Sequence, residues 1–429
     1  MAIDSTIKSP SSSSSPTLNS TQLVRDVIRI EGKYYDTKGL ASTHPGGELI
    51  VRLSNQTDGT ALFNSSHRRR FPHDKYKHLL IKEENVDPVS RMAPNTQNYD
   101  LYFEICEKIK PIISPTQGFA PWWYFIKVFV LVAFVIGVDA STFIWARPLW
   151  VTAIQSLFMA WIGLNVQHDA NHGAVSRNWK INRALGLTQD LCGGTSVAWS
   201  YNHNVVHHVH CNDVERDHDL DIPLLRLMKS VPWTMSYKLQ QFYFLGLEAV
   251  FGLVHVVQTQ VWMWRGPDEK MRLVGKDWDL SRAISMIIPL RFIGFLITQP
   301  TIHDALLHTA LQYCLGGLYL AFFFLISHNF CGAKKEGIDS TSGCFVTNQT
   351  ETSSNVGGAL LAFMNGGLNF QIEHHLFPRV HHSYYHKIAP TVRKMCQERG
   401  IQYMHFPTIK DNFVSTFNHL EQLGAKPSE

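Results

Sequence analysis

The sequence predicts a two-part chain: a small α+β domain, then an all-α integral membrane domain with four transmembrane helices and a histidine-rich cap. Three observations predict it. Long apolar segments begin only at Trp122, histidines gather beside those segments, and residues 22–95 are mixed enough to fold in water. Hydrophobic residues make up 45% of the 429 and charged residues 17%, below the ~25% charge of ordinary soluble domains, which implies buried or lipid-facing surface. Mean hydropathy stays near zero, so polar parts dilute the membrane part.

The net charge of +4 and the absence of a basic stripe interleaved with aromatics argue against nucleic acid as a partner. The longest basic run, Arg68-Arg69-Arg70, reads as a solvated edge or a lipid headgroup contact. Seven cysteines without a C-x-x-C pair exclude a disulfide framework and a structural zinc site, and place the chemistry on the reducing cytosolic side.

In chain order, residues 1–21 form a Ser/Thr/Pro-rich tail, read as disordered and lacking the apolar core of a secretory signal. Residues 22–95 make the small domain, with an apolar start at Val24, Val27, Ile28 and Ile30 and a turn at Gly32-Lys33 before Tyr34-Tyr35. Residues 96–429 make the membrane domain. Its apolar segments are Trp122–Trp145, Pro148–Val166, Phe242–Trp264, Ile284–Gln299 and Ala305–Ser327. Trp122, Trp123, Trp145 and Trp150 sit where interfacial aromatics belong. Arg291, inside an apolar segment, is either functional or snorkels to the surface.

Parity reduces five segments to four spans. Histidine clusters follow the second segment and the last, and clusters that share one site must lie on one membrane face. An even number of crossings separates them, so one segment does not cross. Phe242–Trp264 carries Glu248, His255 and Gln258, costly in lipid, and is expected along the interface. Basic residues before Trp122 and after Val166 put the clusters and both termini on the cytosolic side.

The clusters are Gln167-His168-Asp169-Ala170-Asn171-His172, His203-Asn204-Val205-Val206-His207-His208 and Gln371-Ile372-Glu373-His374-His375, with His328 alone after the last span. His168 and His172, four apart, share one helix face; so do His203 and His207, with His208 about 100° away. Such a set can serve two metals, and neutral imidazoles leaving open positions suit iron and oxygen chemistry. Asp169, Asp217, Asp219 and Glu373 are candidates to orient the imidazoles. A zinc hydrolase would want H-E-x-x-H, which the clusters lack.

These motifs resemble the histidine boxes of the membrane fatty acid desaturase and hydroxylase superfamily. Gln371, in place of the first histidine of the third box, resembles the front-end desaturases, which insert a cis double bond between an existing one and the carboxyl end. The resemblance implies a di-iron centre with His168, His172, His203, His207, His208, His374 and His375 as catalytic iron ligands. It adds His328 as a further ligand, and Gln371 as a ligand through its amide oxygen or a group behind the ligands. His381, His382 and His386 fall outside the boxes, as surface or supporting residues, and Trp199, Tyr201 and Asn202 are expected at a channel mouth.

In the small domain, His44-Pro45-Gly46-Gly47 is a turn followed 23 residues on by His67, with Ile50, Val51, Leu53, Leu62 and Phe63 to wall a pocket. The pattern resembles cytochrome b5, which implies haem b held by His44 and His67, with His73 as a less favoured ligand. Together the resemblances imply two non-haem irons, O2, a fatty acyl substrate linked to coenzyme A or phospholipid, and NADH-cytochrome b5 reductase as partner. They also imply the endoplasmic reticulum membrane, with a plastid left open. The rivals are a sphingolipid long-chain-base desaturase, a fatty acyl hydroxylase and a membrane-anchored haem electron carrier.

Overall fold

A computed structural model describes residues 23–427 of the chain except Pro223 and Glu336; the tail expected over residues 1–21 lies outside the described residues. Strands β1 (Val27–Ile30) and β2 (Lys33–Asp36) form an antiparallel hairpin. Its turn is Glu31-Gly32, one residue earlier than expected, and both have left-handed φ (46° and 80°), the conformation that matches strand twist in a two-residue hairpin. Alternation along β1 sends Ile28 and Ile30 to one face, with Tyr35 and Phe71, and Val27 to the other, with Tyr34 and Val86. Asp36 accepts hydrogen bonds from the Lys38 and Gly39 amides and starts helix α1 (Thr37–Thr43). Helices α2 (Leu49–Leu53) and α3 (Thr60–His67) follow, and strand β3 (Leu80–Ile81) closes the sheet on β2.

Helix α4 (Asp100–Ile113) leads into the second part, burying Tyr102, Ile105, Ile109 and Ile113, a 3.6-residue stripe, against Phe377 and Ile388. Among the described residues five helices are long and apolar enough to cross a membrane. The first pair is α5 (Trp122–Ser141) and α6 (Leu149–Ile162), with Trp122, Phe129 and Trp150 turned outward. Then come α7 (Gln240–Arg265), the continuous pair α8 (Gly275–Ser285) and α9 (Ile287–Thr298), and α10 (Ile302–His328). The fourth apolar segment begins at Gly275 rather than Ile284. Lys276, Asp277, Asp279 and Arg282 disguise its first turns, whose other face buries Trp278, Ser281 and Ser285.

Arg291 neither lies in a site nor reaches the surface. Its guanidinium makes two buried 2.7 Å bonds to the Asp139 carboxylate and a partly buried one to the Leu191 carbonyl. Gln155 joins Asp139 at 2.7 Å and Arg147 at 2.8 Å, so α5, α6 and α9 share one polar network. Removing one member of a buried ion pair strands the other charge, at a cost of ~3–5 kcal/mol. Asp139→Asn is therefore expected to unfold well below the parent in detergent; an unchanged thermal midpoint would show that the pair does not hold the spans together.

The ends of α7 pack on different surroundings. Phe244, near its start, meets Leu325 and Leu420; Met263, near its end, meets Trp278, Val197 and Leu53 of the small domain. Between them the helix runs against α10, backbone on backbone at Gly252 and Gly317, where a Cβ on Gly252 would lie 2.6 Å from the Gly317 Cα.

Candidate metal centre

The boxes are set on helix ends that wind more widely than an α-helix. α6 continues through a π-helical turn at Gly163–Gln167 into His168–Asn171, and the second box lies on a π-helical turn at Ser200–His207. The third sits on a short helix, α11 (Gln371–Leu376), and His328 is the last residue of α10. π winding closes its hydrogen bonds between i and i+5, so residues four and five apart both come near one another. His203 and His207 share one face as expected, their rings stacked with centres 5.3 Å apart, and His208 also reaches His203, their Nε2 atoms 3.1 Å apart.

Two groups result. Ring nitrogens of His168, His172, His203 and His374 lie within 4.8 Å of one another, and His208 Nε2 is 3.0 Å from His374 Nε2. In the second group, ligand atoms of His207, Cys211, His328 and His375 lie within 4.8 Å of one another. The Gln371 amide end stands 2.9 Å from His328 Nε2 and 3.3 Å from His375 Nε2. The two ends of an amide have the same shape, so turning it over puts the oxygen at that point. His208 joins the groups by stacking on His375, ring centres 4.4 Å apart.

A metal fits both groups. A ring nitrogen carries either a hydrogen or a lone pair, so His208 Nε2 can satisfy only one of its two nitrogen neighbours by hydrogen bonding. A cation satisfies all three lone pairs. Metal–imidazole bonds of about 2.1 Å at right angles put adjacent nitrogens about 3.0 Å apart. The Nε2 atoms of His168, His172 and His207 are buried without a protein partner. Burial holds His203, His208, His374 and His375 well below the usual imidazole range, neutral and ready to donate lone pairs. Burial also pulls on His207, but the carboxylates of Asp217 and Asp219 outweigh it and hold that ring at about 9. A metal binding there releases a proton at neutral pH.

Four of the eight histidines have Nδ1 tied from behind, which leaves their Nε2 free for a metal. His207 Nδ1 bonds Asp217 at 3.1 Å and stands 3.3 Å from Asp219. His375 Nδ1 bonds Gln349 Oε1 at 3.0 Å, and the same amide donates to the His208 carbonyl. His374 Nδ1 meets the Tyr385 hydroxyl at 3.3 Å, and His328 Nδ1 meets the Thr352 carbonyl at 3.1 Å. Glu373 departs from expectation: it bonds Asn355 and Tyr403 and no histidine, and burial raises it to about 7.

Asp169 faces His381 and His382, which are buried rather than on the surface. His382 Nδ1 bonds its carboxylate at 2.5 Å. His381 Nδ1 accepts the Ser383 amide, so its hydrogen sits on Nε2, 3.5 Å from the same oxygen. Asp169 and His382 form a hydrogen-bonded clasp behind the first box, with His381 beside them but not bonded to the carboxylate. His386 is half-buried and apart. Trp199 stacks on His203 at 4.2 Å, whereas Tyr201 packs beside Met263 and Trp278. Gln349, Tyr385, Thr352 and Cys211 carry no local sequence signal and emerge only here.

In the small domain His44 and His67 face each other, ring centres 6.0 Å apart. His44 Nδ1 bonds the Gly47 carbonyl at 2.8 Å and His67 Nδ1 the Phe63 carbonyl at 3.0 Å, so each Nε2 keeps its lone pair. Opposed imidazoles on one haem iron put ring centres about 6 Å apart, so the pair fits a haem. Gly46 makes room: a Cβ there would lie 2.7 Å from His44 Cε1. Ile50, Val51, Leu62 and Phe63 wall the cavity as expected, but Leu53 turns to Trp278 instead. His73 is not a ligand candidate here, being held by Glu31 at 2.9 Å and the Tyr35 hydroxyl at 2.5 Å. The cavity, about 880 Å³, runs from His44 and His67 to His172 and His208.

Residues 142–407 match the family model for fatty acid desaturases. The chain is 39% identical over 411 residues to the acyl-lipid (7-3)-desaturase of Diacronema lutheri, covering 94% of this chain and 91% of that protein. It is 38% identical over 416 residues to the acyl-lipid (7-3)-desaturase of Rebecca salina, with the same coverage of 94% and 91%. A chloroplastic acyl-lipid (7-3)-desaturase of Chlamydomonas reinhardtii is 31% identical over 93% of this chain and 80% of its own length.

Proposed function

The chain belongs to the fatty acid desaturase family, and we propose that it inserts a cis double bond between an existing double bond and the carboxyl end of an acyl chain, at a di-iron centre fed by a fused cytochrome b5 domain. It is an enzyme that desaturates acyl lipids. The relatives' shared (7-3) designation is proposed for this chain too, which favours a lipid-linked over a coenzyme A-linked substrate. The observation that carries the di-iron reading is the convergence of two histidine groups through His208, with lone pairs that no protein donor satisfies.

His168, His172, His203, His208 and His374 would hold one iron; His207, His328, His375 and Gln371 the other. The irons, when bound, supply oxygen reduction and hydrogen removal from an unactivated methylene pair. The chain's own residues do the rest. Asp217 and Gln349 fix ring orientation, the Asp169 clasp braces the first box, and nearly complete burial of the ligands excludes water. Oxygen takes four electrons; the substrate yields two, and the other two come singly from outside. His44 and His67 would together hold a haem, which would supply those electrons one at a time, with NADH-cytochrome b5 reductase as the proposed donor.

Residues 22–95 form the donor domain and 96–429 the desaturase domain. Four spans cross the membrane: α5, α6, the α8–α9 pair and α10. α7 is assigned to the interface on its polar residues Glu248, His255 and Gln258 and on the contact of its far end with Leu53 of the small domain. The centre and both termini face the cytosol, at the endoplasmic reticulum.

The test is expression in yeast fed a panel of unsaturated fatty acids, with mass spectrometry of derivatives that locate double bonds. The expected product carries a new double bond on the carboxyl side of an existing one. A bond in a saturated chain withdraws the front-end assignment, a hydroxylated product moves the enzyme to the hydroxylases, and sphingoid products move it to long-chain bases.

A further inference from the structure

Resting on the haem reading above, we propose that Arg379 of the desaturase domain receives a haem carboxylate and thereby fixes the small domain over the di-iron centre. The cavity is not closed by the small domain alone. Its far wall comes from the desaturase domain, including Asn171, His172, Trp179 and Arg379. The two domains are in firm contact around it. Gly47, with φ +88°, brings the His44 turn so near Trp179 that a Cβ would lie 3.0 Å from the indole. Arg70 pairs with Asp100 at 2.9 Å, so the basic run is partly a docking edge.

Within that wall Arg379 is distinctive. It lies four residues beyond His375, and its Nε donates to the carbonyl of Gly173, next to His172, at 3.4 Å. It lines the same cavity as His44 and His67. Among the described residues no carboxylate pairs with it, whereas Arg183 in the same wall is already paired with Asp277 at 2.7 Å. A mostly buried guanidinium without a counter-ion calls for an anion, and its planar fork suits a carboxylate. The iron-binding imidazoles face the same cavity, and haem is the ligand that brings both an iron and carboxylates to it. Arg379 is then a positioning residue: one end of its backbone neighbourhood belongs to the third box, its hydrogen bond to the first, and its free donors to the haem.

The experiment uses the full-length protein and its Arg379→Gln and Arg379→Lys variants. Haem loss to apomyoglobin, haem midpoint potential and non-haem iron content are measured on each. Arg379→Gln is expected to keep its irons and to bind haem through His44 and His67. It should release haem at least about tenfold faster, the effect of losing one charge-assisted contact, and its potential should fall, because a lost positive charge disfavours the reduced haem. Arg379→Lys, which keeps the charge but not the fork, should hold the potential and release haem at an intermediate rate. If a haem-loaded Arg379→Gln protein matches the parent in release and potential, Arg379 is a structural cation only and the proposal fails. If Gln disturbs folding, parental release from Arg379→Lys overturns it equally. A parent without a haem absorbance band would overturn the haem reading itself, and this with it.

Discussion

Replacing His208 or His374 with alanine is expected to reduce desaturation at least about a hundredfold and to lower bound non-haem iron. His208 Nε2 stands within 3.1 Å of both His203 and His374, and its ring stacks on His375, so its loss opens both groups at once. Changing a residue that only orients a ligand costs about 10–100-fold in metal affinity or activity, and removing a ligand costs more. Asp217→Asn, which leaves every ligand in place but weakens the hold on His207 Nδ1, should therefore lie between the parent and the ligand variants. Product yield per molecule of folded enzyme, with iron content alongside, ranks the three. An alanine variant with parental yield would remove that histidine from the ligand set.

His67→Ala carries the second large effect. Haem absorbance should vanish, non-haem iron should remain, and turnover driven by NADH and reductase in a purified system without added cytochrome b5 should fall at least about a hundredfold. The factor follows from tethering: a linked donor works at an effective concentration of about millimolar, far above a free one. The cavity that joins His67 to His172 and His208 gives the tether its geometry. Undiminished turnover in this variant would mean that electrons reach the centre without the fused domain.

Much of this was legible from local pattern. Three histidine clusters beside apolar segments, and His44-Pro45-Gly46-Gly47 with His67 after it, stand out because each is a short run of rare residues. Five apolar helices were legible because a lipid-facing helix needs ~20 apolar residues whatever its neighbours. What was hidden depends on contacts far apart in the chain. That His203 meets His208 in addition to His207 follows from π winding, which α-helical spacing alone does not reveal. Asp139 as the partner of Arg291 lies 152 residues away, and Gln349 behind His375 lies 26 away, with no motif to join them. Glu373 looked like a support because it sits inside a box, yet its side chain turns to Asn355 and Tyr403. The first turns of α8 were missed because their charges face away from the buried Trp278.

The most direct measurement is the non-haem iron and haem content of purified full-length protein, taken together with the His208→Ala and His67→Ala variants. The expected parent carries two non-haem irons and one haem; His208→Ala loses iron and keeps haem, and His67→Ala loses haem and keeps iron. A parent with a single non-haem metal, or with zinc in place of iron, would contradict the di-iron assignment, as would a His208→Ala protein with its full complement of iron.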